Sequence, residues 1–191
     1  MTPLRTEPFP AFEYWTPACF VCGRENQAGI RARVVAGARG GFVSATLSQA
    51  LAGLPGIVHG GAVVALLDEA MWYAVFGQAG IPSVTAHLEV RFVRPAPPGT
   101  PLLAVARLDG LSEAGRPGPQ GSAGGRRIGR ATARLLDGSG RLVAAARGRF
   151  AEVEAGQMPV HRLLRRLPVE ADAVGSLLEW PGVEAFLRGG G

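Results

Sequence analysis

The sequence predicts an α+β fold in which an antiparallel sheet wraps around one long central helix. From Ala62 to Phe76 almost every residue is apolar, on all faces of a helix, which is typical of a helix buried on every side. Short runs with strand-like alternation lie before and after this segment, and turn signals join them. Consecutive hairpins produce antiparallel neighbours, so one sheet packed on one buried helix accounts for both patterns.

Six strands are predicted, two before the helix and four after it. They cover Gly29 to Val35, Phe42 to Leu47, Val84 to Val93, Leu102 to Leu108, Ile128 to Leu136 and Leu142 to Phe150. The third strand alternates strictly, which predicts Ala86, Leu88, Val90 and Phe92 on the helix side and Thr85, His87, Glu89 and Arg91 on the other side. Gly77 and Gly80 with Pro82 beyond them are expected to end the helix. A loop is expected over 109–125, and Asp137 to Gly140 indicates a hairpin turn.

Three parts of the chain are expected from these patterns. Residues 1–28 form an N-terminal segment with a C-x-x-C turn, 29–155 the main domain, and 156–191 a C-terminal helical appendix. Within the appendix, 160–167 and 171–187 have the spacing of short amphipathic helices. We expect the appendix to cover the sheet or to contribute to a subunit contact, rather than to form a lid over a substrate.

Composition and charge restrict the classes of partner. All 20 cationic residues are Arg, and the net charge of +5 suits a polyanionic ligand. The arginines are scattered and no nucleic-acid-binding motif accompanies them, so no nucleic-acid partner is expected. The first twelve residues hold no apolar core of signal-peptide length and no run reaches 18 apolar residues, which predicts a cytoplasmic protein without a membrane partner.

The two cysteines, Cys19 and Cys22, stand in one C-x-x-C turn, which fits a redox pair or half of a metal site. A zinc site needs about four ligands, and only His59, His87 and His161 remain as further soft donors. Two thiols that tighten a turn are therefore the favoured interpretation, and no metal is expected.

The central helix carries the candidate catalytic groups. Asp68 and Glu69 lie between apolar neighbours, where a carboxylate costs several kcal/mol unless it is paired or protonated. Asp68 is the preferred catalytic candidate, while Glu69 is expected to face solvent or an arginine. At the helix start, the N–H groups of Gly60 and Gly61 have no intrahelical partner and carry the positive end of the helix dipole. They are candidates for an oxyanion site.

The spacing of these groups requires a second chain. Gly60 and Asp68 are eight residues apart, hence ~12 Å apart along a helix. A base and an oxyanion donor must both come within about 3 Å of the reacting atoms. One carbonyl cannot meet both in one chain, so we expect a twofold homodimer with two composite sites.

The sequence around the helix also resembles a known family. His59-Gly60-Gly61 with Asp68 nine positions after the histidine, preceded by Gly53-x-Pro55-Gly56-Ile57-Val58, is similar to the signature of hotdog-fold thioesterases of the phenylacetyl-CoA thioesterase-like group. Thr85-Ala86-x-Leu88-x-Val90-x-Phe92-x-Arg94-Pro95 resembles the strand that follows the helix in that group. Cys19-Phe20-Val21-Cys22-Gly23-Arg24-Glu25-Asn26 resembles an N-terminal segment common in one of its bacterial branches.

The resemblance implies hydrolysis of acyl-CoA thioesters, with coenzyme A as part of the substrate and no further cofactor. Asp68 would be the general base or nucleophile, and Thr85 would hold the attacking water. The N–H of Gly60, with Gly61 beside it, would polarise the carbonyl. His59 would fix the loop or assist at the carbonyl. Arg94, Arg126 and Arg127 are candidates for the phosphates of CoA, and Trp72 for the acyl group. A homodimer or a dimer of dimers is the expected assembly. The sequence departs from the family at Gly53, near which some members carry an Asn.

Three other functions fit the sequence less well than acyl-CoA hydrolysis. An enoyl-CoA hydratase of the same fold would use an Asp and His at another spacing, which this sequence lacks. A non-catalytic acyl-CoA binder would have no need of Asp68 on the apolar helix. A zinc module built on the C-x-x-C turn is the least favoured, because its remaining ligands are not evident.

Overall fold

The computed structural model describes residues 11–114, 126–153 and 163–189. Their ten strands are β1 Phe12–Trp15, β2 Arg33–Gly37, β3 Gly40–Thr46, β4 Ala52–Leu54, β5 Ile57–Val58, β6 Ser83–Phe92, β7 Pro101–Ala114, β8 Arg126–Asp137, β9 Leu142–Glu152 and β10 Arg165–Pro168. The helices are α1 Gly60–Ala79, α2 Ala171–Leu178 and α3 Val183–Leu187, with one 3-10 turn at Gln49–Leu51.

Eight of the strands form one antiparallel sheet in the order β10-β1-β2-β3-β7-β8-β9-β6, and β4 and β5 form a separate small hairpin. The helix α1 lies across one face of the sheet and contacts β2, β3 and β6 to β9. The predicted architecture, an antiparallel sheet around one central helix, is confirmed.

The apolar composition of α1 follows from its central position. Its buried side chains include Leu66, Leu67, Met71 and Val75, all fully enclosed by the sheet and the N-terminal segment. By length and composition alone, the helix could cross a membrane. The buried core helix of a soluble protein meets the same two criteria. It ends at Gly80, whose φ of 67° is the left-handed conformation expected of a glycine cap and whose N–H donates to the Phe76 carbonyl at 2.8 Å.

A bulge in β6 overturns the predicted alternation of that strand. Thr85 pairs with Phe150 and His87 with Arg149, so Ala86 is an extra residue without a partner in the β9 register. The residues before the bulge change face relative to those after it, because side chains alternate along a strand. Thr85 therefore lies on the helix side with Leu88 and Val90, where the strict pattern had assigned it to the opposite side.

Two other strand boundaries differ from the prediction by more than two residues. β2 begins at Arg33 rather than Gly29, and Arg31 adopts a left-handed φ of 57° just before it. β7 continues to Ala114, so the first third of the expected loop, 109–114, is strand, and β7 pairs with β8 as far as Arg126. The remainder of that loop lies outside the described residues. The turn from Asp137 to Gly140 connects β8 and β9 as predicted.

The C-terminal segment was only partly predicted. Arg165–Pro168 forms strand β10 against β1, where a helix had been expected, because its backbone completes the open edge of β1. The helices α2 and α3 occur within the predicted range 171–187. Their apolar residues Leu177, Val183 and Phe186 pack on the sheet face opposite α1, against Phe42 and Val105 among others. The division of the chain at 28 and 155 stays a prediction, although both flanking segments add a strand to the sheet.

Candidate active site

Asp68 lies on α1 with its carboxylate facing the start of β6. Thr85 Oγ1 donates to Asp68 Oδ1 at 2.9 Å, a contact that the bulge in β6 makes available. Burial raises the pKa of Asp68 above that of an ordinary aspartate, and the hydrogen bond from Thr85 acts in the opposite direction. The second carboxylate oxygen has no hydrogen-bond partner among the residues that the structure describes, which leaves Asp68 able to accept a proton.

Asp68 lines a cavity of about 340 Å³ with Thr85, Trp72 and Val84. Leu163 and Leu164, from the C-terminal segment, close part of its wall. The cavity is open to solvent on one side and mostly apolar elsewhere, as small-molecule sites commonly are. A carboxylate at the edge of an apolar cavity can act as a base toward a ligand held there.

The start of α1 is built around His59. The His59 Nδ1 atom accepts the N–H of Gly61 at 2.9 Å and so caps the helix. The imidazole ring also lies against Gly53, where a Cβ would come within 3.1 Å of the His59 Cα atom. The structure thus gives His59 a positioning contact, and it shows that a side chain at position 53 would press on the imidazole ring.

The two glycine N–H groups are not equivalent. That of Gly61 is used by His59, whereas the N–H of Gly60 has no acceptor among the residues that the structure describes. Gly60 borders a second cavity, of about 370 Å³, with Val63, Phe92 and Arg94. The ring of Phe92 lies over Gly60, where a Cβ would be 3.3 Å from it. Of the two, the N–H of Gly60 is therefore the one that is free to donate to a ligand.

Asp68 and Gly60 lie at opposite ends of β6 within one chain. Thr85, the partner of Asp68, is near the beginning of β6, and Phe92, which covers Gly60, is its last residue. The two cavities have no residue in common. A single chain thus holds the two halves of the expected site apart.

Comparisons with known proteins agree with the fold. Residues 55–113, which include α1 and β6, match the model of the thioesterase superfamily. The chain has the hotdog fold of that superfamily. A search of curated proteins found no match.

Solved structures extend the agreement over most of the described chain. A thioesterase superfamily protein matches with a TM-score of 0.58 and 24% identity over 71% of this chain, which spans 60% of that protein. The E. coli PaaI protein from the phenylacetic acid degradation operon matches with a TM-score of 0.53 and 21% identity, over 68% of this chain and 87% of that one. A Streptococcus mutans UA159 protein solved bound to acetyl CoA matches with a TM-score of 0.50 and 15% identity, over 62% and 84%.

The candidate substrate-binding residues occupy different parts of this hotdog domain. Trp72 lines the Asp68 cavity, donates to the Ser83 carbonyl at 2.7 Å and stacks on Phe76. Arg94 lines the Gly60 cavity and donates to the Leu142 carbonyl at 2.8 Å. Arg126 begins β8 and is exposed.

Arg127 forms a two-pronged ion pair with Glu152, so its guanidinium is already engaged. Of the four candidates, Trp72 and Arg94 thus border the two cavities. The contacts of Arg127 are to Glu152 on the neighbouring strand β9.

Sequence reasoning missed the surroundings of Glu69. Where solvent or an arginine had been expected, the partly buried carboxylate has a thiol partner, since Cys19 Sγ donates to Glu69 Oε1 at 3.5 Å. Burial raises the pKa of Glu69, and the neighbouring Cys19 acts in the same direction. Helical geometry could have indicated this. Successive residues of a helix point about 100° apart, so Glu69 must face a different element from Asp68.

Proposed function

We propose that this chain hydrolyses acyl-CoA thioesters to a free acid and CoA in a site completed by a second copy of the chain. The observation that carries the proposal is the half-buried Asp68 carboxylate held by Thr85 at the edge of a cavity on the central helix. Membership of the hotdog fold and the superfamily match support a thioesterase-type reaction, and the acetyl CoA bound to a structural neighbour supports the substrate class.

The second copy follows from the open edge of the sheet. β6 is ten residues long and ends the sheet order, with Val84 and Phe92 exposed at its two ends. A long exposed edge strand is normally covered, and an identical strand related by a twofold axis would cover it antiparallel. Such pairing brings the Thr85 end of one strand beside the opposite end of the other, so Asp68 would meet Gly60 of the partner subunit.

The reaction can be written on these groups. The thioester carbonyl oxygen accepts the N–H of the partner's Gly60, which stabilises the negative charge that develops on that oxygen. Asp68 accepts a proton from a water that attacks the carbonyl carbon, and collapse of the intermediate breaks the carbon–sulfur bond and releases the CoA thiol. In the alternative route, Asp68 attacks the carbonyl carbon directly and water then cleaves the mixed anhydride.

The remaining candidates have supporting roles in this proposal. His59 fixes the loop through its bond to Gly61. Thr85 orients Asp68 and holds the attacking water beside the carboxylate. The acyl group occupies the cavity lined by Trp72, and Arg94 is the arginine best situated for a CoA phosphate at the Gly60 cavity. Arg126 is exposed enough to reach a phosphate, whereas Arg127 would first have to leave Glu152.

The test is a thiol-release assay with a panel of short, long and aryl acyl-CoAs, run on the wild type and on Asp68→Asn. Asn keeps the shape of the side chain but cannot accept the proton, so turnover should fall at least ~100-fold while circular dichroism is unchanged. Equal turnover of the two proteins on every thioester that the wild type cleaves would remove Asp68 from the reaction. A wild type inactive on the whole panel would favour an acyl-CoA binder.

Composite sites are tested by mixing inactive variants. Asp68→Asn lacks the base, and Gly60→Pro lacks the N–H donor. After unfolding and refolding together, half of the dimers are mixed, and each mixed dimer has one intact site, so activity should recover to about a quarter of the wild type. Failure to recover, with mixed dimers demonstrated by mass spectrometry, would contradict a site shared between chains. Single turnover in heavy-oxygen water detects the anhydride route, because label enters the Asp68 carboxylate only when water cleaves a mixed anhydride at the Asp68 carboxyl carbon.

A further inference from the structure

The second group of reactive side chains in the molecule consists of Cys19, Cys22 and Glu69. One ligand atom from each, the two sulfurs and a carboxylate oxygen, lies within 4.8 Å of the others. Cys22 is buried, and the other two are partly buried. The proposed hydrolysis uses none of the three, so the cluster needs an explanation of its own.

The distances agree with those around a tetrahedral zinc ion. With Zn–S of about 2.3 Å and Zn–O of about 2.0 Å, tetrahedral angles separate two ligand sulfurs by about 3.8 Å and a sulfur from an oxygen by about 3.5 Å. Cys19 Sγ and Glu69 Oε1 are 3.5 Å apart, and the other two separations are at most 4.8 Å, hence no more than about 1.3 Å above the required values. Only small side-chain rotations are needed to close the set on an ion.

The backbone around Cys19 is already arranged for a thiolate ligand. Cys19 Sγ accepts the N–H groups of Val21 at 3.2 Å and Cys22 at 3.3 Å, and two such donors stabilise negative charge on sulfur. Gly23 donates its N–H to the Cys19 carbonyl at 3.0 Å, and a Cβ on Gly23 would lie 2.2 Å from that oxygen. The turn is therefore fixed by its own hydrogen bonds before any ion binds.

We propose that Cys19, Cys22 and Glu69 bind one Zn²⁺ ion, with the fourth coordination position facing the cavity that Asp68 lines. All three residues border that cavity, so an ion held by them is accessible from it. Three protein ligands with one open position are the usual arrangement of reactive zinc sites, whereas structural sites have four protein ligands. Two thiolates select zinc over magnesium or calcium, which prefer oxygen ligands. The fourth ligand is water in the resting protein.

The site was not evident from the sequence because histidines are the usual further ligands of a zinc ion beside a C-x-x-C turn. The described histidines, His59 and His87, do not belong to the cluster, while the carboxylate comes from the central helix, 50 residues from Cys19. The Tyr73 hydroxyl, 3.8 Å from Cys22 Sγ, is available to hydrogen-bond the second sulfur from outside the ligand set.

Metal content tests the site independently of any thioesterase activity. Protein made without a histidine tag and under reducing conditions should contain about one zinc per chain by mass spectrometry of the metal, before or after incubation with one equivalent of Zn²⁺. The double variant Cys19→Ser/Cys22→Ser should contain less than about a tenth of that amount. Glu25→Gln changes an exposed acid in the same turn and should keep the full content.

Cobalt replacement reports the ligands directly. Co²⁺ added to the metal-free wild type should produce the near-ultraviolet charge-transfer band of thiolate ligands and the intense visible bands of a tetrahedral ion. Glu69→Gln should retain the thiolate band and bind Co²⁺ at least ~10-fold more weakly, a loss of the size expected for disturbance of a metal site. This variant keeps both cysteines and the size of the side chain, so it reports on the site even if the double cysteine variant fails to fold.

Two results would overturn the proposal. One is reduced, folded wild-type protein that takes up no zinc and shows no cobalt band, which would leave the thiols as a structural pair or, if they oxidise readily, a disulfide. The other is zinc bound equally by the wild type and by a folded double cysteine variant, which would assign the ion to other residues.

Discussion

Thr85 and Asp68 connect the edge strand of the sheet to the central helix through one hydrogen bond, with Oγ1 and Oδ1 2.9 Å apart. The bond depends on the bulge at Ala86, since an unbroken alternation would turn Thr85 away from the helix. It holds one oxygen of the carboxylate and leaves the other toward the cavity. The orientation of the proposed base is thus set by an irregularity of the strand.

Removal of the Thr85 hydroxyl should weaken catalysis while the base remains. For Thr85→Val we expect kcat/KM to fall about tenfold or more, because a hydrogen bond to a charged group contributes about 1.5 to 3 kcal/mol. Thr85→Ser keeps a hydroxyl and should retain most of the activity. The measurement is steady-state thiol release for both variants.

The same pair allows a double-mutant test. In the Asp68→Asn background the Thr85→Val change should cost much less than it does alone, since the two side chains act through one contact. Additive losses, or wild-type kinetics for Thr85→Val, would show that Thr85 does not act through Asp68.

The oxyanion donor can be removed without disturbing the helix. Gly60 is the first residue of α1, a position that proline favours, and His59 before it has φ −59° and ψ 134°, which suit a residue preceding proline. Gly60→Pro should therefore fold but lose about 100- to 1,000-fold in kcat, the usual cost of one oxyanion donor.

Gly60→Ala is the matched control for that change. It adds a Cβ against Phe92 as proline does, but it keeps the N–H. It should lose far less activity than Gly60→Pro. Similar losses in the two variants, at equal melting temperature, would attribute the effect to bulk beside Phe92 instead of to the lost donor.

A charge at the open edge of the sheet should separate the subunits. Phe92 ends β6 and is 56% exposed in the single chain, so Phe92→Asp should place carboxylates in the proposed dimer contact and raise the dimer dissociation constant at least ~100-fold. Sedimentation velocity over a concentration series measures this shift, and thioesterase activity should fall with the dimer fraction.

Leu111→Asp serves as the comparison for that experiment. Leu111 is 44% exposed but lies on β7, which is separated from the edge strand β6 by β8 and β9. Its substitution should leave the association unchanged. A wild type that sediments as a monomer while fully active would refute the shared site.

The β8–β9 turn should make the stability of the fold depend on pH. Hydrogen bonds from the Ser139 hydroxyl, and those from Arg141 and the Ser139 backbone, hold the pKa of Asp137 well below its usual range. A lowered pKa in the folded state contributes stability above the unfolded pKa of about 3.9, and that contribution is lost as the pH falls below it.

Asp137→Asn should therefore lower the free energy of unfolding by about 1 to 2 kcal/mol at neutral pH. The difference from the wild type should shrink as the pH drops below about 4. Urea unfolding at several pH values measures it, and a difference that stays constant down to acid pH would exclude the carboxylate charge as the cause.

The sequence predicted those parts of the molecule that depend on local pattern. The all-apolar run identified α1 because no other element buries every face, and the His-Gly-Gly start with Asp68 located the candidate groups. The sequence could not predict the bulge at Ala86. An inserted residue leaves no pattern in the sequence when it and its neighbour Thr85 both occur in strands. Nor could it predict that Glu69 faces Cys19, because that contact joins residues 50 positions apart.

Strand β10 was mistaken for a helix for a related reason. Arg165–Pro168 has a helical spacing of Leu and Arg, but the unpaired edge of β1 offers its backbone a ladder of hydrogen bonds. Tertiary context overrides local preference in so short a segment.

The helices α2 and α3 have a practical consequence for work on shortened forms of the chain. They desolvate Val35, Phe42, Leu103 and Val105 on the face of the sheet turned away from α1. A chain cut before residue 163 would expose this apolar surface and also lose two residues of the Asp68 cavity wall. Aggregation or altered chain-length preference of such a fragment would then reflect the uncovered surface and not the behaviour of the native assembly.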